Sequence, residues 1–258
     1  VSGTHGKTTT TAMIAEILTD AGLNPTVIVG SLLKKAGGNF KAGGGKYLVV
    51  EACEYRRSFL NLKPDILVIT NIDSDHLDYY KDIDDIKSAF AELTGKMESS
   101  GRIVCNARDE NVSEVVSGSS ARVIDYNAVD TKINLRVPGL HNVENAKAAL
   151  AVSGFLGVKA EKSLESLSRF EGTWRRFEYR GETFSGAIVY DDYAHHPAEI
   201  RATLEGARNF LKKKIFVVFQ PHLYSRTKQF LGDFAENLKK ADEVAVLPIY
   251  AAREKEDK

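Results

Sequence analysis

Neither sign of charge predominates in this sequence, where 35 lysines and arginines stand against 35 aspartates and glutamates. A chain without a bulk field has no general affinity for nucleic acid or an anionic membrane, so neither partner is expected and any polyanion must be held by a local site. Cysteine is nearly absent, with Cys53 and Cys105 alone. Two thiols so far apart make neither a disulfide framework nor a zinc site; both lie at or near the ends of apolar runs and are expected as inert thiols in or near the core of a cytoplasmic protein. No stretch resembles a signal peptide, and no apolar run approaches the roughly 20 residues of a membrane span. Repeats at solenoid periods and long low-complexity tracts are also missing, although Gly37 to Gly45 reads as a flexible loop.

What is present is 258 residues, 43% of them hydrophobic, enough for one large or two ordinary domains with a sizeable core. The first eight residues, Val1-Ser2-Gly3-Thr4-His5-Gly6-Lys7-Thr8, have the composition of a phosphate-binding loop. Glycines let successive N–H groups face an anion, and the helix that follows aims its positive end at the same spot. Lys7 is then placed for the β/γ-phosphates of a nucleotide and the Thr8 hydroxyl for its Mg²⁺. The longer form of the pattern has a glycine where Val1 stands, so this is the shorter G-T-x-G-K-[ST] variant. Such loops follow a buried parallel strand, so a strand upstream of Val1 is expected.

Along the chain strands alternate with helices, the pattern of a parallel sheet covered by helices. Ile14, Ile17, Leu18 and Ala21 make the apolar face of a first helix ended by Gly22; Ile83 to Met97 and Asn142 to Leu156 read as two more. Val27 to Val29, Tyr47 to Val50, Ile66 to Ile69 and Arg102 to Val104 read as strands buried on both faces. From Ala187 the pattern restarts, with strands at Ala187 to Tyr190, Ile215 to Phe219 and Glu243 to Leu247. A helix from Pro197 turns Ile200, Leu204 and Ala207 inward, and another surrounds Phe230, Phe234 and Leu238. The fold class is α/β: a P-loop ATPase domain with a mostly parallel sheet, residues 1–174, then a Rossmann-like domain, residues 175–258.

Ligands gather at the carboxyl ends of strands in such sheets. Glu51 follows one strand, and Thr70-Asn71-Ile72-Asp73-Ser74-Asp75-His76-Leu77-Asp78 follows another. With Thr8, Glu51 and His76 are the candidates for holding magnesium; a surface glutamate and a satisfied core or helix-entry histidine are the plain alternatives. In the second domain, Tyr190-Asp191-Asp192-Tyr193-Ala194-His195-His196-Pro197 turns a strand into a helix with proline at its first position. Adjacent Asp and His can orient an amine or act as acid and base, while Asp192 as a helix cap is the structural alternative. Gln220-Pro221-His222-Leu223-Tyr224-Ser225-Arg226-Thr227 is a second such end, where Arg226 is suited to a bidentate grip on a carboxylate or phosphate.

The loop Gly3 to Thr8, the segment Thr70 to Asp78, Pro138-Gly139-Leu140-His141-Asn142-Val143-Glu144-Asn145-Ala146, Gly172-Thr173-Trp174-Arg175-Arg176-Phe177 and both second-domain motifs, in this order, resemble a Mur ligase. The resemblance runs over nearly the whole chain and points to the muramate branch. It implies an ATP- and Mg²⁺-dependent amide-bond ligase that joins L-alanine to UDP-N-acetylmuramate through an acyl-phosphate in peptidoglycan precursor synthesis, as a monomer or weak homodimer. By that analogy Gly3, Thr4, His5, Gly6, Lys7 and Thr8 hold the phosphates, His141, Asn142 and Asn145 line the adenine site, and Arg175 and Arg176 face phosphate or substrate. Lys7, His196, His222 and Arg226 carry the catalysis, the last three from a domain that closes on the first.

Three departures from the family stand out. Nothing here corresponds to its uridine-diphosphate-binding first domain. Only Asn127 to Asn134 occupies a connection that is longer in the family, and the sequence stops in a charged tail before the last strands of the usual C-terminal domain. Sister ligases also place a carbamylated lysine near Phe90, so Lys87 is not expected to carry that group. Four other readings stay open: a murein-tripeptide ligase with the same nucleotide site, a folylpolyglutamate or cyanophycin type ligase, a P-loop kinase or GTPase, and a nucleotide-binding module without ligase activity.

Overall fold

The computed structural model describes residues 1–34 and 37–255. Two compact units divide the chain, the first of Val1–Val137 with His141–Trp174 and the second of Pro138–Leu140 with the residues from Arg175 onward.

In the first unit, helix α1 (Lys7–Asp20) starts at the loop and ends at Ala21, where Gly22 takes φ +79°. Its threonine run is buried rather than solvated, and Thr11 satisfies its hydroxyl on the carbonyl of Lys7 one turn back. Strand β1 (Thr26–Leu33) pairs antiparallel with β2 (Gly38–Lys41) and parallel with β3 (Leu48–Val50). The stretch read as a flexible loop is therefore half strand. Its later glycines are there for close packing: a Cβ at Gly43 or Gly45 would lie 2.2 or 1.9 Å from the carbonyl oxygens of Asn24 and Leu23.

After β3, β4 (Ile66–Ile69), α2 (Ile83–Gly95), β5 (Arg102–Cys105), α3 (Glu110–Val116) and β6 (Arg122–Asp125) form a parallel β4-β5-β6 sheet with its helices. Asp82 and Asp109 cap α2 and α3 by accepting from the N–H groups of Asp85 and Val112. Val1 and Ser2 run between β3 and β4 and bond to both: Val1 N donates to Val50 O at 2.7 Å, and Ser2 N to Val68 O at 2.8 Å. Alternation along the strands sends Val68 and Val104 to one layer, with α1 and α4 (Leu140–Phe155). Leu67, Ile69, Ile103 and Cys105 go to the other, with α2 and α3. Helix α5 (Ala160–Arg169) packs on α1. Cys105 is in the core, where burial pushes its thiol up to about 12, whereas Cys53 is exposed, contrary to the expectation of a core or near-core thiol.

The second unit opens with an antiparallel ribbon of β7 (Glu178–Glu182) and β8 (Ile188–Asp191). Helix α6 (Pro197–Leu211), β9 (Phe216–Phe219), α7 (Tyr224–Gln229), α8 (Leu231–Leu238) and β10 (Glu243–Val246) follow, with β9 and β10 parallel. Ile200, Leu204, Phe219, Phe234 and Leu238 form its core. The chain is thus α/β with mostly parallel strands, and no described helix is long and apolar enough to cross a membrane.

Candidate functional site

The phosphate-loop sequence is folded as its glycines require. Gly3 has φ +124° and lies so close to β4's end that a Cβ would sit 2.1 Å from Thr70 Oγ1; at Gly6, φ is +83° and a Cβ would meet Asn145 Oδ1 at 2.5 Å. Segment 70–73 fastens the loop from outside. Thr4 N donates to Asn71 O at 3.0 Å, His5 N to Asn71 Oδ1 at 2.8 Å, Thr70 Oγ1 to His5 O at 2.6 Å and Asp73 N to Thr4 Oγ1 at 2.9 Å. Thr70 and Asn71, to which the sequence reading gave no individual role, hold the loop's shape. Because Gly6 is the N-cap, no side chain caps α1, and its first N–H groups keep their anion-binding capacity.

Thr8 Oγ1 donates to Glu51 Oε1 at 2.9 Å, and Glu51 Oε2 accepts from Gly30 N at 2.6 Å. Glycine at 30 makes room for that carboxylate, since a Cβ would stand 2.8 Å from Glu51 Oε1. A hydroxyl and a carboxylate side by side are hard oxygen donors, the set that suits Mg²⁺. His76, at φ +54°, has its Nε2 3.6 Å from Glu54 Oε1. Lys7 Nζ donates to Gly3 O at 2.6 Å and Thr4 O at 2.9 Å and pairs with Glu54 at 2.9 and 3.0 Å. Burial opposes the charge on Lys7, but the Glu54 carboxylate outweighs it and holds the ammonium above its ordinary range. Glu54 escaped the sequence reading; its position three residues after Glu51 was the only signal.

Behind the loop, Asn142 and Asn145 are buried in the first turns of α4; Thr10 Oγ1 donates to Asn145 Oδ1 at 3.1 Å, and Asn145 Nδ2 to Asn142 Oδ1 at 3.4 Å. These bonds place both amides beside α1, with His141 next to them in sequence. Phe90 is fully buried edge-to-face on Phe59, while Lys87 pairs with Asp84 and Glu114.

In the second unit, Arg175 stacks over Tyr193 and bonds Asp191 through Nε at 3.1 and 3.3 Å; Arg176 lies over the same ring, 3.9 Å from Glu199. Asp192 accepts from Phe177 N at 2.9 Å and Ala194 N at 2.7 Å, and burial pushes its carboxyl up to about 6. It does not cap α6. His196 does so, with a ring nitrogen accepting from Ala198 N at 3.3 Å, and Glu199 closes a capping box. Arg226 is buried with its Nη1 3.4 Å from His222 Nδ1, and the His222 ring lies between those of His195 and Tyr250. Burial, with His195 and Arg226 adding to it, lowers His222 to about 4, so the imidazole is neutral near pH 7 and accepts a hydrogen bond more readily than a proton.

Two family models match this chain: the Mur ligase middle domain over residues 1–129 and the Mur ligase glutamate ligase domain over residues 175–258. The chain belongs to the Mur ligase family. It is 47% identical to the UDP-N-acetylmuramate--L-alanine ligase of Caldicellulosiruptor bescii, an alignment that takes in 99% of this chain and 62% of that protein. The enzyme of the same name from Caldanaerobacter subterraneus is 45% identical, with the same coverage. The chain therefore spans about three fifths of the length of the curated relatives it matches. Among solved structures, the UDP-N-acetylmuramate-alanine ligase of Thermotoga maritima superimposes with a TM-score of 0.78 at 33% identity, covering 96% of this chain and 60% of the other. An ADP complex of another Mur ligase from that organism shares the fold at TM-score 0.75 and 19% identity, covering 96% and 65%.

Proposed function

We propose that this Mur ligase chain is the nucleotide- and amino-acid-handling part of an ATP-dependent enzyme that joins L-alanine to UDP-N-acetylmuramate. The observation that carries the nucleotide reading is the Thr8–Glu51 pair beside Lys7, at the uncapped start of α1, in a loop fastened by segment 70–73. The choice of substrates rests on the names of relatives 41–47% identical over nearly all of the chain.

In this reading the first unit binds ATP. Gly3 to Gly6 and the first N–H groups of α1 receive the phosphates, and Asn142, Asn145 and His141 serve the adenine. Thr8 and Glu51 would hold Mg²⁺, with His76 nearby; the ion supplies charge neutralisation on the phosphates. An oxygen of the substrate carboxylate attacks the γ-phosphorus and ADP leaves, giving an acyl-phosphate. Lys7 offsets the charge of the transferring group, a step in which positioning and electrostatics dominate the rate. The alanine amine then attacks the acyl carbon and phosphate departs with the carbon–oxygen bond broken. In the second unit Arg226 is suited to the alanine carboxylate and neutral His222 to accepting a hydrogen bond from its amine. Arg175 and Arg176 supply positive charge toward phosphate or substrate.

The test is phosphate release by the full-length protein with ATP, Mg²⁺, UDP-N-acetylmuramate and L-alanine, each left out in turn. Release that needs all four is expected. Release without an amino acid would turn the reading toward a kinase-like enzyme, and release with a murein tripeptide but not alanine would assign the recycling activity.

A further inference from the structure

Glu54 is 2% exposed, and its carboxylate faces the one lysine of the phosphate loop. An ammonium has three donors, and those of Lys7 are committed to Gly3 O, Thr4 O and Glu54. Glu54 is itself fixed in place: its carbonyl accepts from the Tyr80 hydroxyl and from Arg57 N at 2.8 Å, at the entry to the 3₁₀ segment Tyr55–Asn61. The second carboxylate, Glu51, is held by Thr8 and Gly30. Among the described residues, the Lys7 ammonium thus stands with the Glu54 and Glu51 carboxylates close by, and the His76 imidazole lies between Glu54 and Asp75. A nucleoside polyphosphate brings about three or four negative charges to this place, and the ammonium that would meet them is shared with the Glu54 carboxylate, so it offsets only part of that charge.

We propose that Glu54 is a positioning residue that makes nucleotide binding depend on a divalent cation: it holds Lys7 in the loop and offsets part of its charge, so the bare polyphosphate is disfavoured and the cation-bound form is admitted. This deepens the nucleotide reading above and rests on it. Two like charges a few ångströms apart in a partly buried site repel strongly enough to change affinity by an order of magnitude or more. Removing the Glu54 charge therefore relieves the bare nucleotide far more than the cation-bound one, whose charge is already offset.

Calorimetric titration with ADP, once with excess Mg²⁺ and once with EDTA, reads this directly in the wild-type chain and in Glu54→Gln, which keeps the side chain's length and an acceptor for Lys7. The expected wild-type ratio of metal-free to Mg²⁺ dissociation constants is about 30 or more. In Glu54→Gln it shrinks to about 5 or less, chiefly because metal-free ADP binds about tenfold tighter. Glu54→Ala is the second neutral variant should the first not fold, and Glu54→Asp, which retains the charge, is expected to keep most of the wild-type ratio. Equal weakening of both forms in the neutral variants, or an unchanged ratio, overturns the proposal and leaves Glu54 a structural partner of Lys7. Wild-type protein that binds both forms equally well overturns it while sparing the nucleotide reading; wild-type protein that binds neither form overturns both.

Discussion

In the proposed reading, Lys7 is structural and functional at once. From sequence alone, Lys7→Ala is expected to silence phosphoryl transfer and spare the fold. Its pairing with the buried Glu54 changes that, because truncation leaves a carboxylate without its counter-charge. A buried pair broken on one side costs about 3–5 kcal/mol, so Lys7→Ala should lose stability of that order in urea denaturation, and Lys7→Ala combined with Glu54→Gln should recover a large part. Gly3→Ala is expected to cost about 3 kcal/mol by the same measurement, since it meets both a left-handed backbone and the Thr70 hydroxyl. His222 gives a pH signature. Its folded value of about 4 lies below the 6.5 of an ordinary histidine, so between these values the unfolded chain binds more protons than the folded one. The stability it contributes is full above about pH 6.5 and is lost as the pH falls toward 4. Melting temperatures followed over that window should fall less steeply in His222→Gln than in the wild type.

At the scale of elements, the legible parts were those whose apolar residues repeat cleanly. Strand β4 lies where its continuous apolar run placed it, and α2 lies within two residues of the span read for it. Strand β7 escaped because three of its five residues are charged and its pairing is a ribbon with β8 rather than a buried sheet. Helix α5 escaped because two of its three buried residues are serines, Ser163 and Ser166. The His195-His196-Pro197 signal was visible in sequence, but the first task of His196 is local: it caps α6. That separates two roles experimentally. Asparagine is a good N-cap, so His196→Asn should stay within about 0.5 kcal/mol of wild type, while His196→Ala should cost about 1 kcal/mol. If ligation survives in the asparagine variant, the imidazole is a cap; if it is lost while stability holds, the ring also serves the reaction.

For the whole molecule, the order of motifs carried more than composition did. Phosphate loop and carboxylate at a strand end were readable as residue types at given spacings, whereas the asparagine helix and the paired arginines came only through the resemblance to the family. What the spacing did not contain was the fastening: Thr70 and Asn71 on the loop, Gly30 beneath Glu51 and Glu54 on Lys7 are contacts between segments far apart in sequence. The central claim, that these parts serve an amide-forming ligase working through an acyl-phosphate, makes a prediction about single atoms. UDP-N-acetylmuramate labelled with ¹⁸O in its lactyl carboxylate should be given to the full-length enzyme with ATP, Mg²⁺ and L-alanine, and the released phosphate read by mass spectrometry. One labelled oxygen per phosphate is predicted, because the carboxylate oxygen that attacks phosphorus leaves with it; phosphate free of label would mean that ATP is cleaved by water, and would contradict the account.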